Sequence, residues 1–324
     1  MIYFGIPLRS KETSNNWDKV TEFFNRTLWS VYNQTDPDFR IIVACHDIPK
    51  LKHEFDGRVE FIQVQAPIPH TKEEMMLDKG YKVHTIGMRI REYGGGYTMM
   101  VDADDLQSNR IAEYVNKHPN ENGFLSHNGY YWHVGDNYIK KGHKFPNGSS
   151  TIVKYSVEDL PDKYYDKMVA SVNSNPHIIR KKHGDIPKIC AELGRPLRPL
   201  PFIASIYVRE TGDNHSLMNK DESKFRVIEQ KLMPKIYINE KVRKSFYPHL
   251  LKQSRTYQIK MQNQTVGFYS LSVMSVNLAQ SDASIAEFYS NRQGVGAISL
   301  DYIAVDARIQ NHGIGSTILN SVIA

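Results

Sequence analysis

Up to about residue 120 the apolar positions switch between two periods. Ile2 to Ile6 is a short apolar run that Pro7 stops, and it predicts a buried strand. Ser14, Asn15 and Asn16 offer helix caps ahead of Trp17, Val20, Phe24, Leu28 and Val31, which fall at helical spacing. Two further strands are predicted at Arg40 to Cys45 and Val59 to Val64. A second helix is expected from roughly Lys79 to Tyr93, with Val83, Ile86 and Ile90 on one face and Gly94 to Gly96 ending it. Tyr97 to Val101 then reads as a strand, and Ser108 as the cap of a helix carrying Ile111, Tyr114 and Val115 up to Pro119. This alternation predicts an α/β domain whose mostly parallel sheet has helices on both faces. In such sheets ligands bind beyond the carboxyl ends of the strands.

Beyond residue 120 the texture changes to short stretches rich in Tyr, His and Gly. Phe124 to Asn128, Tyr130 to Val134 and Thr151 to Tyr155 suggest hairpins laid over the site. A helix is expected around Ile186 to Leu193 and a late strand at Phe202 to Arg209. Residues 217 to 235 are charged and mark a boundary, so the domains expected are 1–219, a linker over 220–235, and 236–324. In the last of these, Val266 to Val276 and Ala297 to Val305 read as strands. A glycine loop follows, and then Thr317 to Ile323 in a helical pattern.

Composition narrows the class only a little. Of 324 residues 40% are hydrophobic and 23% charged, as in an ordinary globular chain. A net charge of +6 favours an anionic partner, and equally suits a solvated basic surface. No Lys/Arg run has the density of a nucleic-acid arm, so no nucleic-acid partner is expected. Cys45 and Cys190 lie far apart, in no metal or redox spacing, and are expected as buried thiols of a reducing compartment. The opening stretch lacks a basic leader, and no stretch approaches the roughly 20 apolar residues of a membrane span. A cytoplasmic location is therefore expected, with peripheral membrane contact left open.

The chemistry concentrates after the Tyr97 strand, where Asp102, Asp104 and Asp105 follow one another closely. Carboxylates on a turn after a strand suit a hard divalent ion such as Mg²⁺ or Mn²⁺. The same aspartates would equally serve as caps favouring the positive end of the Ser108 helix. A calcium loop starting at Asp102 is excluded, because Gln107 stands where a glycine is needed and Leu106 where a ligand is needed.

With this Asp-x-Asp after a strand, residues 1 to about 219 resemble the GT-A-type nucleotide-sugar glycosyltransferases. The resemblance extends to the opening Gly5-Ile-Pro-Leu-Arg9, Asp78-Lys-Gly-Tyr-Lys82, His127-Asn-Gly-Tyr-Tyr131, Gly148-Ser-Ser150 and Arg209-Glu-Thr-Gly-Asp-Asn-His-Ser216. It implies a Rossmann-like GT-A fold that transfers a sugar from a nucleotide-sugar donor to a glycan, lipid or protein acceptor. It also implies Asp104 and Asp102 as metal ligands, His215 as a further ligand from the late loop, and Mn²⁺ or Mg²⁺ as cofactor. Pro7, Arg9, Lys79, Lys82 and Asp102 become the donor-binding candidates, and Asp185 the candidate catalytic base. A carboxylate base is needed only if the transfer inverts configuration.

The loop Gln310-Asn-His-Gly313-Ile-Gly315-Ser316, after the strand Tyr302-Ile-Ala-Val-Asp306, resembles the acetyl-CoA loop of GNAT-type N-acetyltransferases. Strand, glycine loop and helix form a geometry in which backbone N–H groups cradle a pyrophosphate. The resemblance implies a partial GNAT-like α+β unit over 236–324. Its acetyl-CoA contacts would be Ile303, Val305, Gln310, Asn311, His312, Gly313, Gly315 and Ser316. It stops at Ala324, short of the later strands and the family's general acid, so no acetyl transfer is expected from this chain. Two alternatives stand beside the glycosyltransferase: an acetyl-CoA enzyme whose front domain only binds substrate, and a non-catalytic nucleotide-sugar-binding module.

Overall fold

A computed structural model describes residues 1–134, 136, 138–143, 148–164, 175–209, 233–247, 255–261, 264–273 and 298–305; for the last three stretches only the strand backbone is described. The chain divides into two compact units, one made of 1–134, 140–235 and 245–247, the other of 135–139, 236–244 and 248–324.

The first unit opens with β1 (Ile2–Pro7), α1 (Trp17–Tyr32), β2 (Phe39–Cys45), β3 (Val59–Gln63), α2 (Lys72–Glu92) and β4 (Gly96–Met100). It continues with β5 (Leu106–Gln107), α3 (Ile111–Asn116), β6 (Gly123–Leu125), β7 (Asn128–His133), β8 (Tyr138–His143) and β9 (Thr151–Tyr155). A 3-10 turn at Ile178–Arg180, then α4 (Ile186–Glu192), β10 (Arg198–Pro199) and β11 (Ser205–Arg209) complete it. Its main sheet has the order β10-β6-β9-β4-β1-β2-β3, with β4, β1, β2 and β3 mutually parallel. This is the mostly parallel sheet that the alternation of periods predicts.

Side-chain alternation along the strands sorts the core into two layers. Phe4, Ile6, Ile41, Val43 and Met99 face α1 and α3, meeting Phe24, Leu28, Val31, Ile111 and Val115. Tyr3, Ile42 and Ala44 face the other way, onto Val83, Ile86 and Ile90 of α2 and Ile186 and Cys190 of α4. The strand order reverses direction between β1 and β4. β1 leads outward through β2 to β3, and α2 then returns the chain to the far side of β1. Such a reversal opens a crevice at the carboxyl ends of the two central strands. Gly5 lets α2 close over that point: a Cβ there would lie 2.8 Å from Ile86 Cγ2 and 2.8 Å from Met100 Sδ.

Several elements differ from the sequence expectation, each for a local reason. α2 begins at Lys72 rather than near Lys79, because Thr71 and Glu74 form a reciprocal capping box. Ahead of Lys79 the apolar Met75, Met76 and Leu77 follow one another directly and none is fully buried, so they mark no helical period. Ser108 does not cap α3: the cap position is Arg110, and Gln34 Oε1 accepts the Ala112 N–H at 2.9 Å from another element. Thr151 to Tyr155 is no hairpin over the site but β9, antiparallel in the main sheet between β4 and β6. Burial on both faces, Ile152 in one core layer and Val153 and Tyr155 in the other, holds it there. The hairpin that does form joins β7 to β8, a strand its glycine- and lysine-rich sequence hides. Within this unit β8, β7, β11 and β5 lie side by side in that order. Cys45 and Cys190 are buried free thiols, and burial pushes the Cys45 thiol up to about 11.

After β11 come β12 (Lys235–Tyr237) and α5 (Glu240–Phe246). The second unit holds an antiparallel sheet of β13 (Arg255–Met261), β14 (Gln264–Val273) and β15 (Ile298–Val305). β14 and β15 fall on two expected strands, whereas β13 was not expected. Among the described residues no helix is long and apolar enough to cross a membrane.

Gly5→Ala should test the packing at the strand reversal. Overpacking against Ile86 and Met100 should lower stability by about 1–3 kcal/mol, read as a lower denaturant midpoint at unchanged slope. An unshifted midpoint would show that the close approach is not needed.

Candidate functional site

Two chain segments meet at the reversal. β1 runs on past Pro7, whose partner in β2 is Ala44, and the Leu8 N–H still donates to the Ala44 carbonyl at 2.9 Å. On the other side Val101 N–H donates to the Gly5 carbonyl at 2.8 Å, so the chain after β4 leaves beside β1 and turns through Asp102 to Asp105. The three aspartates fare differently there.

Asp105 is fully buried. Its carboxylate accepts from Ser149 Oγ at 2.7 Å and from the Val208 N–H at 3.2 Å. Burial, with Asp104 and Asp102 adding repulsion, pushes its pKa well above the usual carboxylate value. Ser149 Oγ in turn accepts the Asp102 N–H at 2.9 Å, and the Ser149 carbonyl accepts from Ser205 Oγ at 2.6 Å. One hydroxyl thus joins the turn after β4 to the loop before β9, and its carbonyl joins that loop to β11.

Asp102 keeps its carboxylate 27% exposed and pairs through Oδ1 with Lys79 Nζ at 2.6 Å. That ion pair ties the first half of α2 to the end of β4. Lys79 has its pKa raised chiefly by Asp102, with Asp104 and Asp105 also contributing. Gly148 lies against the same carboxylate, since a Cβ there would fall 2.3 Å from Asp102 Oδ2. Asp104 is partly exposed on the turn.

The structure brings Asp102, Asp104 and Lys79 together, with Pro7 at the end of the neighbouring strand. Arg9, two residues on, donates through Nε to the Thr13 carbonyl at 2.9 Å. Lys82 stands apart: it is 1% exposed and its ammonium bonds Asp78 Oδ2 at 2.6 Å, beside Cys45 and His46. Its pKa is lowered by burial against the pull of Asp78. This pair lies within α2, one helical turn apart, and holds its charge inside the protein; Asp78 Oδ1 also stands 3.7 Å from Nδ1 of His46, just past β2. Asp185 is exposed at the cap position of α4, with no side-chain capping bond. His215 and the loop Gln310, Asn311, His312, Gly313, Gly315 and Ser316 lie outside the described residues. Ile303 and Val305 lie on β15, paired with Tyr269 and Gly267 of β14.

The residue that sequence reasoning passed over is Ser149. Its signal was the Gly148-Ser-Ser150 run, a small residue beside two hydroxyls far from the aspartates in sequence. Only the antiparallel return of β9 beside β4 brings that run to Asp102.

Among the described residues no group of three or more His, Cys, Asp and Glu side chains converges as a metal cage. The turn does fit a hard ion of the Mg²⁺ type, which is bound through one or two carboxylates and completes its shell with water and substrate phosphate. The Lys79 ammonium already places positive charge at Asp102 Oδ1.

No protein-family model matches the chain, and no curated protein matches it. Among solved structures it is similar to the crystal structure of TarS from S. aureus, with 10% identity and a TM-score of 0.37. The match covers 64% of this chain and 36% of TarS, so the chain spans well under half of that protein. At that score the likeness carries no weight for function.

Ser149→Ala should remove both hydroxyl bonds while leaving the Ser149 carbonyl in place. We expect a loss of about 1–3 kcal/mol, the cost of stranding a buried polar partner, measured by chemical denaturation. A change within error would mean that Asp105 finds donors elsewhere.

Proposed function

We propose that the first unit is a glycosyltransferase that moves a sugar from a nucleotide-sugar donor to an acceptor, with Mn²⁺ or Mg²⁺ as cofactor. One observation carries the reading: the strand reversal sets Asp102, Asp104 and Lys79 beside the end of β1, at the carboxyl edge where open α/β sheets bind nucleotides.

In this reading the end of β1, with Pro7 and Arg9, borders the nucleotide. Asp102 and Asp104 hold the divalent ion, with His215 as a further ligand. Bound there, the ion would neutralise charge on the departing nucleoside diphosphate. Lys79 adds a fixed positive charge on the same side, where negative charge builds as the glycosidic bond breaks. Asp105 touches no substrate: with Ser149 it holds the turn that presents Asp102. Lys82 acts within α2, keeping Asp78 paired. Asp185 is the carboxylate we assign to the acceptor hydroxyl if the transfer inverts configuration.

The acyl-transfer reading rests on Gln310 to Ser316, and no described residue favours it over sugar transfer. A non-catalytic binding module would share the donor site and differ in turnover.

Calorimetry with a panel of nucleoside-diphosphate sugars, with and without Mn²⁺, tests the proposal. One donor should bind in a metal-dependent way, and Asp104→Asn should weaken that binding by at least about tenfold, as losses at metal sites do. Donor affinity unchanged in Asp104→Asn, or insensitive to chelator, would remove the metal from the account. Metal-dependent hydrolysis of the bound donor separates an enzyme from a binding module.

A further inference from the structure

Lys79 and a divalent cation at the turn after β4 would need the same oxygen. Of the two oxygens of Asp102, Oδ2 packs closest to Gly148, where a Cβ would fall 2.3 Å away. The other, Oδ1, holds the Lys79 ammonium at 2.6 Å. Gly148 belongs to the loop before β9, and the Asp102 N–H is tied to that same loop by its 2.9 Å bond to Ser149 Oγ. Asp102 is therefore the anchored partner of the pair.

Lys79 is the movable one. Its side chain is 42% exposed, so the ammonium can swing on its flexible stem while α2 stays in place. The Lys82–Asp78 pair, one turn further along the same helix, is the contrast: both its members are buried, and neither has water to turn to. Asp102 chiefly, with Asp104 and Asp105, raises the Lys79 pKa, so the side chain carries its full charge at neutral pH. An ion pair this exposed to water is weak, and it yields to a stronger competitor.

We propose that Lys79 is an exchangeable counter-ion: it neutralises Asp102 until a divalent cation takes Oδ1, and its ammonium then moves to the phosphate oxygens of the donor. This rests on the donor-site reading and adds to it how the turn is regulated. Two cations cannot share one carboxylate oxygen at contact distance, so Lys79 withdraws when a doubly charged ion bridges Asp102 and Asp104. A lysine then suits a phosphate as a compact point charge. The consequence is an opposition of sign. Lys79 works against the ion alone, and works with it once a diphosphate is present.

Mn²⁺ alone, titrated into the full chain, Lys79→Met, Lys79→Arg and Asp104→Asn, tests this by calorimetry and by loss of the free-ion EPR signal. Lys79→Met should bind Mn²⁺ about fivefold more tightly than wild type, the worth of a partly exposed ion pair. Lys79→Arg keeps the charge and should bind as wild type does. Mn²⁺ binding no tighter in Lys79→Met, or equally tightened in Lys79→Arg, would overturn the proposal. Should Lys79→Met fail to fold, wild type supplies the answer. Saturating Mg²⁺ should speed acetylation of Lys79 by acetic anhydride about fivefold, read by mass spectrometry, because the lost pair no longer holds the proton on. An unchanged rate would overturn the proposal as well. Asp104→Asn separates this inference from the reading beneath it. If it loses Mn²⁺ while Lys79→Met gains none, the metal site stands and the exchange falls. If it binds Mn²⁺ as wild type does, the ion is not at this turn and both fall.

Discussion

The buried carboxylate of Asp105 is the constraint around which the front unit is arranged. A carboxylate taken from water must find donors or a proton. Here one donor comes from the loop before β9 and the other from the backbone of β11. Three segments remote in sequence are therefore committed to one place. The main sheet alone would leave the turn after β4 free to move. With Asp105 anchored beneath it, the turn presents Asp102 and Asp104 toward solvent in a set order.

This arrangement also accounts for three carboxylates standing so close together. Each meets its charge in a different way. Asp105 is held toward its neutral form by burial, Asp102 is matched by the Lys79 ammonium, and Asp104 stays in contact with water. The repulsion that sequence alone would assign to the cluster is thus divided among separate environments. Lys79 gains a second consequence from its position on α2: the helix that covers the strand reversal at Gly5 also delivers the counter-charge to the crevice.

Much of the front unit was legible because its apolar periods are long and regular. β1, α1, β2, β3 and β4 fall where Ile2, Phe24, Ile41, Phe61 and Met99 place them, in the mostly parallel sheet expected, whereas the strand order is seen only in the structure. What escaped reading depended on partners distant in sequence. The start of α2 is an exception, since the capping box of Thr71 and Glu74 that sets it is local. α3 takes its cap from Gln34. The role of Ser149 exists only because β9 returns antiparallel beside β4. Lys82 reads as a phosphate contact in sequence, and only the burial of its Asp78 pair shows that its charge points inward.

The central claim is that the crevice between β1 and β4 receives a nucleoside diphosphate, with Lys79 and Asp102 at its phosphates. A crystal structure of the full chain grown with Mn²⁺ and the donor's nucleoside diphosphate addresses it most directly. The account predicts the diphosphate between the Pro7–Arg9 turn and Asp102, with Lys79 Nζ within hydrogen-bond distance of a phosphate oxygen. A nucleotide bound elsewhere, with the Lys79–Asp102 pair untouched, would contradict it.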